Sequence, residues 1–174
     1  ILMVDATRGF EAQDLNILTL ANRKRKGMLI LVNKWDLVEK DYKTAESFKK
    51  TIDERLGTMS YVPVYFVSVM TKQRVLKAME KAATIYKNKS TKISTSKLND
   101  AILPEIQHYP PPMTRGRKVS IKYITMVPAK TPTFVFFSNH PSDIKQSYRR
   151  FLENKIREKF DFEGITINLA FRKK

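Results

Sequence analysis

Apolar positions along this chain change period repeatedly, and the changes outline its elements. Ile1-Leu2-Met3-Val4 is a short apolar run ending at Asp5, a strand already under way, so the chain is expected to be a fragment. From Gln13 to Lys26 the positions Leu15, Leu18 and Ala21, with Ile17 and Leu20 alongside, predict a helix, with Gly27 set to end it. Met28 to Val32 is continuously aliphatic, the pattern of a strand buried on both faces in a parallel sheet. A polar loop, Asn33 to Asp41, follows. Phe48, Ile52 and Leu56 at fourfold spacing before Gly57 predict a second helix, Pro63 to Val69 a further strand, and Val75 to Tyr86 a third helix with Leu76, Met79, Ala83 and Tyr86 on its apolar side. Strand and helix in alternation are the mark of an α/β doubly wound sheet.

The segment Asn88 to Thr95 (NKSTKIST) holds one apolar residue and reads as a linker, which divides the chain into 1–90 and 91–174. Beyond it, Ser94 or Thr95 can cap a helix carrying Leu98, Ala101, Ile102 and Ile106, which Pro104 should kink or shorten. Tyr109 to Arg117 is irregular. Lys118 to Val127 alternates in part and Thr133 to Phe137 is aromatic and β-branched, so the two form a hairpin across Pro128 to Pro132. Ser142 to Phe160 places Ile144, Tyr148, Phe151, Leu152, Ile156 and Phe160 on one helical face, and Ile165 to Phe171 alternates as a last strand. The second half is therefore a small α+β unit of order αββαβ.

Composition removes several chemistries. No cysteine is present, and His108 and His140 stand outside any ligand spacing, so neither a metal site nor a cysteine nucleophile is expected in the chain. No apolar run is long enough to span a bilayer, and the absence of cysteine suits a reducing cytoplasm. Charge adds a positive inference. The 33 Lys and Arg against 17 Asp and Glu leave a formal +16 in 174 residues, well beyond the magnitude of roughly 2 to 8 that solubility asks of a small domain. Such an excess suits a polyanion, RNA or DNA.

Asn33-Lys34-Trp35-Asp36 follows directly on the buried strand, at the carboxyl edge of the sheet where ligands bind in such folds. Guanine presents two adjacent donors, N1-H and its exocyclic amino group, and one carboxylate can accept from both while rejecting adenine. Asp36 is the candidate base reader, Asn33 serves the base edge and the loop, and the Lys34 stem can lie over the ring or ribose. The next strand delivers Ser68-Val69-Met70 to the same edge, where a backbone N-H can meet guanine O6 and the Ser68 hydroxyl can buttress the carboxylate; the alternative is an ordinary strand-to-helix loop with Ser68 as a local cap. Trp35, Phe134, Phe136 and Phe137 read as packing residues rather than stacking platforms.

These two elements resemble the guanine-recognition motifs of translation-factor-like GTPases. With Asp5-Ala6-Thr7-Arg8-Gly9, Gln13-Asp14, NKWDLVEK, TPTFVFFSNHP, SYRRFLENKIREKF and GITINLAFRKK, the chain resembles the C-terminal portion of the bacterial ribosome-assembly GTPase family Der, also called EngA. The resemblance implies a partial P-loop-GTPase-like sheet followed by a KH-like domain, GTP or GDP as ligand of the intact protein, and ribosomal RNA or the large ribosomal subunit as partner. Val69, where Ala usually follows the serine, and Lys72, at the place of a frequent Gly, depart from the family pattern. The five glycines at 9, 27, 57, 116 and 164 build no phosphate loop, no D-x-x-G and no G-x-x-G clamp. The resemblance puts the phosphate motifs and the Mg2+ ligands upstream, so the 174-residue chain alone is not expected to hydrolyse GTP. For RNA the candidates are Arg115, Arg117, Lys118, Lys122 and Lys130 near the hairpin; Arg149, Arg150, Lys155, Arg157 and Lys159 suit a solvated helix face. The rival to a nucleotide switch is an RNA- or protein-binding module with no nucleotide role.

Overall fold

The computed structural model describes residues 1–39, 43–114 and 116–173. They divide into two compact units, Ile1–Lys89 with Phe162–Thr166, and Ser90–Asp161 with Ile167–Lys174.

The first unit is built on three parallel strands in the order β1 (Leu2–Asp5), β2 (Ile30–Asn33), β3 (Val64–Phe66). Met28 to Val32 is buried throughout, as its unbroken aliphatic run requires of a strand covered on both faces. Three helices accompany the sheet: α1 (Ala12–Arg23), α2 (Thr44–Leu56) and α3 (Val75–Asn88). Gly57 ends α2 with φ 53, as the spacing predicts. Helix α1 instead stops at Arg23, and Arg25 takes the left-handed turn at φ 52. Of the basic run Arg23 to Lys26, Arg23 alone lies in the last turn. Gly27 answers to packing, since a Cβ there would stand 2.9 Å from Ile85 Cγ2. On α3 the expected face is offset: Leu76 and Tyr86 are 79% and 82% exposed, whereas Ala78 and Ile85 are buried. Gly164 is held in the same unit by Met28 N-H donating to its carbonyl at 2.7 Å and its own N-H donating to Tyr61 O at 2.8 Å. Its φ of +69, and Met28 O only 2.5 Å from where a Cβ would sit, leave room for glycine alone.

The second unit runs α4 (Thr95–His108), β4 (Ile121–Val127), β5 (Thr133–Ser138), α5 (Gln146–Lys159), β6 (Asn168–Lys173). Its sheet has the order β4-β5-β6, with β4 and β5 antiparallel and β5 and β6 parallel. Ser94 caps α4, its hydroxyl accepting from Lys97 N-H at 3.4 Å. Pro104 sits inside α4 without shortening it. A mid-helix proline costs about 3 kcal/mol, and burial of Leu98, Ile102 and Ile106 at about 1.5–3 kcal/mol each outweighs it. Ile124, Phe134 and Phe136 of the sheet and Tyr148, Leu152 and Ile156 of α5 are buried in the same unit. The last strand begins at Asn168, three residues beyond its expected start, because Ile165 belongs to the first unit.

Candidate functional site

Two loops leave the carboxyl ends of β2 and β3. Asn33 closes β2, paired in register with Asp5 at the end of β1. Lys34 then turns left-handed at φ 60, and a short 3-10 helix, Trp35–Leu37, carries Asp36. Trp35 is the pivot. Its ring is buried against Phe66 and Phe48, with centroids 4.3 and 5.7 Å away, and the Trp35 backbone N-H donates to Val67 O at 3.1 Å. With the tryptophan locked inward, the neighbouring Asp36 is exposed at the sheet edge.

The second loop folds on itself. Ser68 is fully buried, pairs through its backbone with Gln73, and its hydroxyl accepts from Thr71 N-H at 3.1 Å. The loops join where Val69 N-H donates to Asn33 Oδ1 at 3.1 Å. Val69 and Met70 are exposed, Met70 at 86%, and among the described residues the Met70 N-H has no protein acceptor. Asn33, Lys34, Asp36, Ser68, Val69 and Met70 thus share one sheet edge. Asp36 is in no ion pair among the described residues.

Asp5 is a neighbour that spacing along the chain does not reveal. Its Oδ2 lies 2.7 Å from Lys34 Nζ, while Oδ1 accepts from Thr7 N-H at 2.9 Å and from the Thr7 hydroxyl at 2.7 Å. The Lys34 hydrogen bond, then those from Thr7, hold the Asp5 carboxyl down at about 2. The signal that could have found it is positional: in a parallel sheet Asp5 ends its strand in the same layer as Asn33.

The basic candidates of the second unit scatter more. Arg115 lies outside the described residues. Arg117 pairs with Thr114 in a tight turn over Gly116, and Lys118 and Lys122 follow it, all three exposed. Lys130 is exposed beyond the far end of β4, about 20 Å along a strand of that length. On α5, Lys155 pairs with Glu105 and Glu158, Lys159 with Glu105, Arg157 with Glu153, and Arg149 lies over the Phe171 ring at 4.6 Å. Those cations serve the fold. Phe134 and Phe136 are core, and Phe137 stacks on Tyr123 at 4.3 Å. No group of three His, Asp or Glu poised for a metal occurs among the described residues, nor does any helix long and apolar enough to cross a membrane.

Two family models match the chain. Residues 1–108 match the family model of the elongation factor Tu GTP binding domain, and residues 92–172 match that of the KH-domain-like of EngA bacterial GTPase enzymes, C-terminal. The chain is 52% identical over 174 residues to the GTPase Der of Flavobacterium psychrophilum and 50% identical over 174 residues to that of Cytophaga hutchinsonii. It is 50% identical over 176 residues to the GTPase Der of Bacteroides fragilis. In each case all of this chain is covered but only 40% of the relative, so the chain spans well under half the length of the relatives it matches. With both matched segments in place and identity near one half along its whole length, the chain belongs to the GTPase Der (EngA) family, joining part of a GTP-binding domain to that family's KH-like domain.

Proposed function

We propose that this chain supplies the base-reading half of a guanine-nucleotide site, within a cytoplasmic GTP-binding protein that acts on ribosomal RNA during assembly of the large ribosomal subunit. The observation that carries it is the Val69 N-H to Asn33 Oδ1 bond, which ties the two loops together beside an exposed Asp36 carboxylate that is in no ion pair among the described residues. Asp36 accepts from the guanine N1-H and amino group; the Met70 N-H, lacking a protein acceptor, is available to O6. Ser68 shapes the loop through Thr71. Among the described residues no group of three His, Cys, Asp or Glu is placed to hold a metal ion. The 1–90 portion carries the nucleotide edge, and the 91–174 portion offers Arg117, Lys118 and Lys122, with Arg115 and Lys130, to RNA phosphates.

Asp36→Asn in the full-length protein tests the base-reading role. Xanthine carries a carbonyl where guanine carries its amino group, so an Asn amide can donate to it. A lost or mismatched contact of this kind is worth about 1–3 kcal/mol, so GTP should bind one to two decades more weakly and XTP correspondingly better. Competition titrations with GTP, XTP and ATP read this directly, and an unchanged GTP-to-XTP preference in a folded variant would show that Asp36 does not read the base.

A further inference from the structure

We infer that Asp5 is a positioning residue of the nucleotide edge, whose carboxylate holds the Lys34 ammonium away from Asp36 and fixes the lysine stem across the ends of β1 and β2. The inference rests on the base-reading role proposed above and adds to it a residue from another strand.

Lys34 stands two positions from Asp36, and its side chain is half exposed. A free ammonium so close to the one carboxylate that must accept from the base would pair with it and mask it. The left-handed backbone of Lys34 turns the residue back over β1, where Asp5 lies opposite Asn33 in the parallel register. There Oδ2 takes the ammonium at 2.7 Å. The Asp5 side chain cannot swing freely, because the Thr7 N-H and hydroxyl both hold Oδ1. Ala6 N-H, donating to Asn33 O at 2.9 Å, fixes the backbones of the two strand ends relative to each other. Each oxygen of the carboxylate thus has a separate task, one anchoring the group and the other restraining the lysine.

Two consequences follow for binding. The Asp36 carboxylate is left open to the base, and the four-carbon stem of Lys34 is ordered before the ligand arrives. Pre-ordering one rotamer-rich side chain is worth about a two- to tenfold change in affinity. The ammonium and the Thr7 donors together hold the Asp5 carboxyl down at about 2, in favour of the ionised form that takes the lysine.

The test is a double-mutant cycle in the full-length protein, measured as displacement of a fluorescent GDP analogue by GDP. Asp5→Asn should weaken GDP about two- to tenfold while Lys34 is present, and should have no further effect in a Lys34→Met background. Thr7→Val, which removes one anchor of Oδ1 and leaves the carboxylate, should give a smaller loss that also disappears with Lys34→Met. Equal losses in both backgrounds, or no loss in either, would overturn the inference and leave Asp5 a structural residue. Asp36→Asn run alongside separates the two claims: if it switches preference to XDP while Asp5→Asn and Lys34→Met are additive, the positioning role alone fails. If it leaves preference unchanged, the base-reading role fails and the positioning role with it.

Discussion

Among the described residues four other than glycine adopt positive φ, and all four are cations: Arg25, Lys34, Lys72 and Arg74. For a side chain with a Cβ this backbone costs roughly 1–2 kcal/mol, so each position invites the question of what offsets it. At Lys34 the turn delivers the ammonium to Asp5. At Lys72, with φ 59, the loop gains a backbone bond to Val69 O at 3.3 Å that any residue could make. Lys72→Gly should therefore stabilise the chain by about 0.5–1 kcal/mol and leave base preference untouched, read as a higher urea midpoint with unchanged slope. A lower midpoint would mean that the Lys72 side chain contributes more than its backbone costs. The same position shows what sequence alone conveys at this scale. Lys72 stands out as a departure from a frequent glycine, and Asn33 to Asp36 stands out because the four residues are contiguous. Asp5 does not, because its partner is distant along the chain and only the register of β1 against β2 brings them together.

Among the elements, helices are legible as helices but their buried sides are less so. Leu76, Met79, Ala83 and Tyr86 obey helical spacing and α3 forms, yet the side that enters the core is that of Ala78 and Ile85. Spacing records which residues share a face; which face is covered depends on neighbours elsewhere in the chain. Strand limits blur for a similar reason, β3 being three residues long within the apolar run Pro63 to Val69. In the second unit, α5 meets the end of α4 through Tyr148, whose buried hydroxyl donates to Tyr109 O at 2.7 Å. Burial raises that phenol from 10.0 to about 12. A neutral phenol held in the fold stabilises it fully below pH 10; above that the unfolded chain ionises first, and the contribution is lost as pH rises toward 12. Tyr148→Phe should cost about 0.5–1.5 kcal/mol near neutrality through the missing hydrogen bond. Because it removes the ionising group, it should also lose stability less steeply than the parent between pH 10 and 12. Urea unfolding at stepped pH compares the two slopes, and parallel curves would show that Tyr148 does not set the alkaline limit.

For the molecule as a whole, a formal +16 is the dominant long-range feature, but its members are not equivalent. On α5, Arg149, Lys155, Arg157 and Lys159 are engaged by the Phe171 ring, Glu105, Glu153 and Glu158, whereas Arg117, Lys118 and Lys122 follow one another in the open. Binding to ribosomal RNA should weaken steeply between about 50 and 200 mM salt, with little sequence preference. Reversing Arg117, Lys118 and Lys122 to Glu should flatten the dependence by about one unit of log-log slope per lost phosphate contact, while Lys155→Ala should leave it nearly unchanged. Filter binding across that salt range decides the matter, and undetectable binding at the lowest salt would assign the charge to another partner. One further property of the whole chain lies in time rather than space. The first unit takes in Phe162–Thr166, with Gly164 bonded to Met28 and Tyr61 and the Thr166 hydroxyl donating to Asn22 at 2.9 Å. During synthesis at about 5–20 residues per second, Ser90–Asp161 of the second unit leave the ribosome before Phe162–Thr166 of the first unit do. The portion begun first is therefore finished after several seconds' delay, and until then the Met28 amide and the surface around Ile85 stand open to solvent and to chaperones.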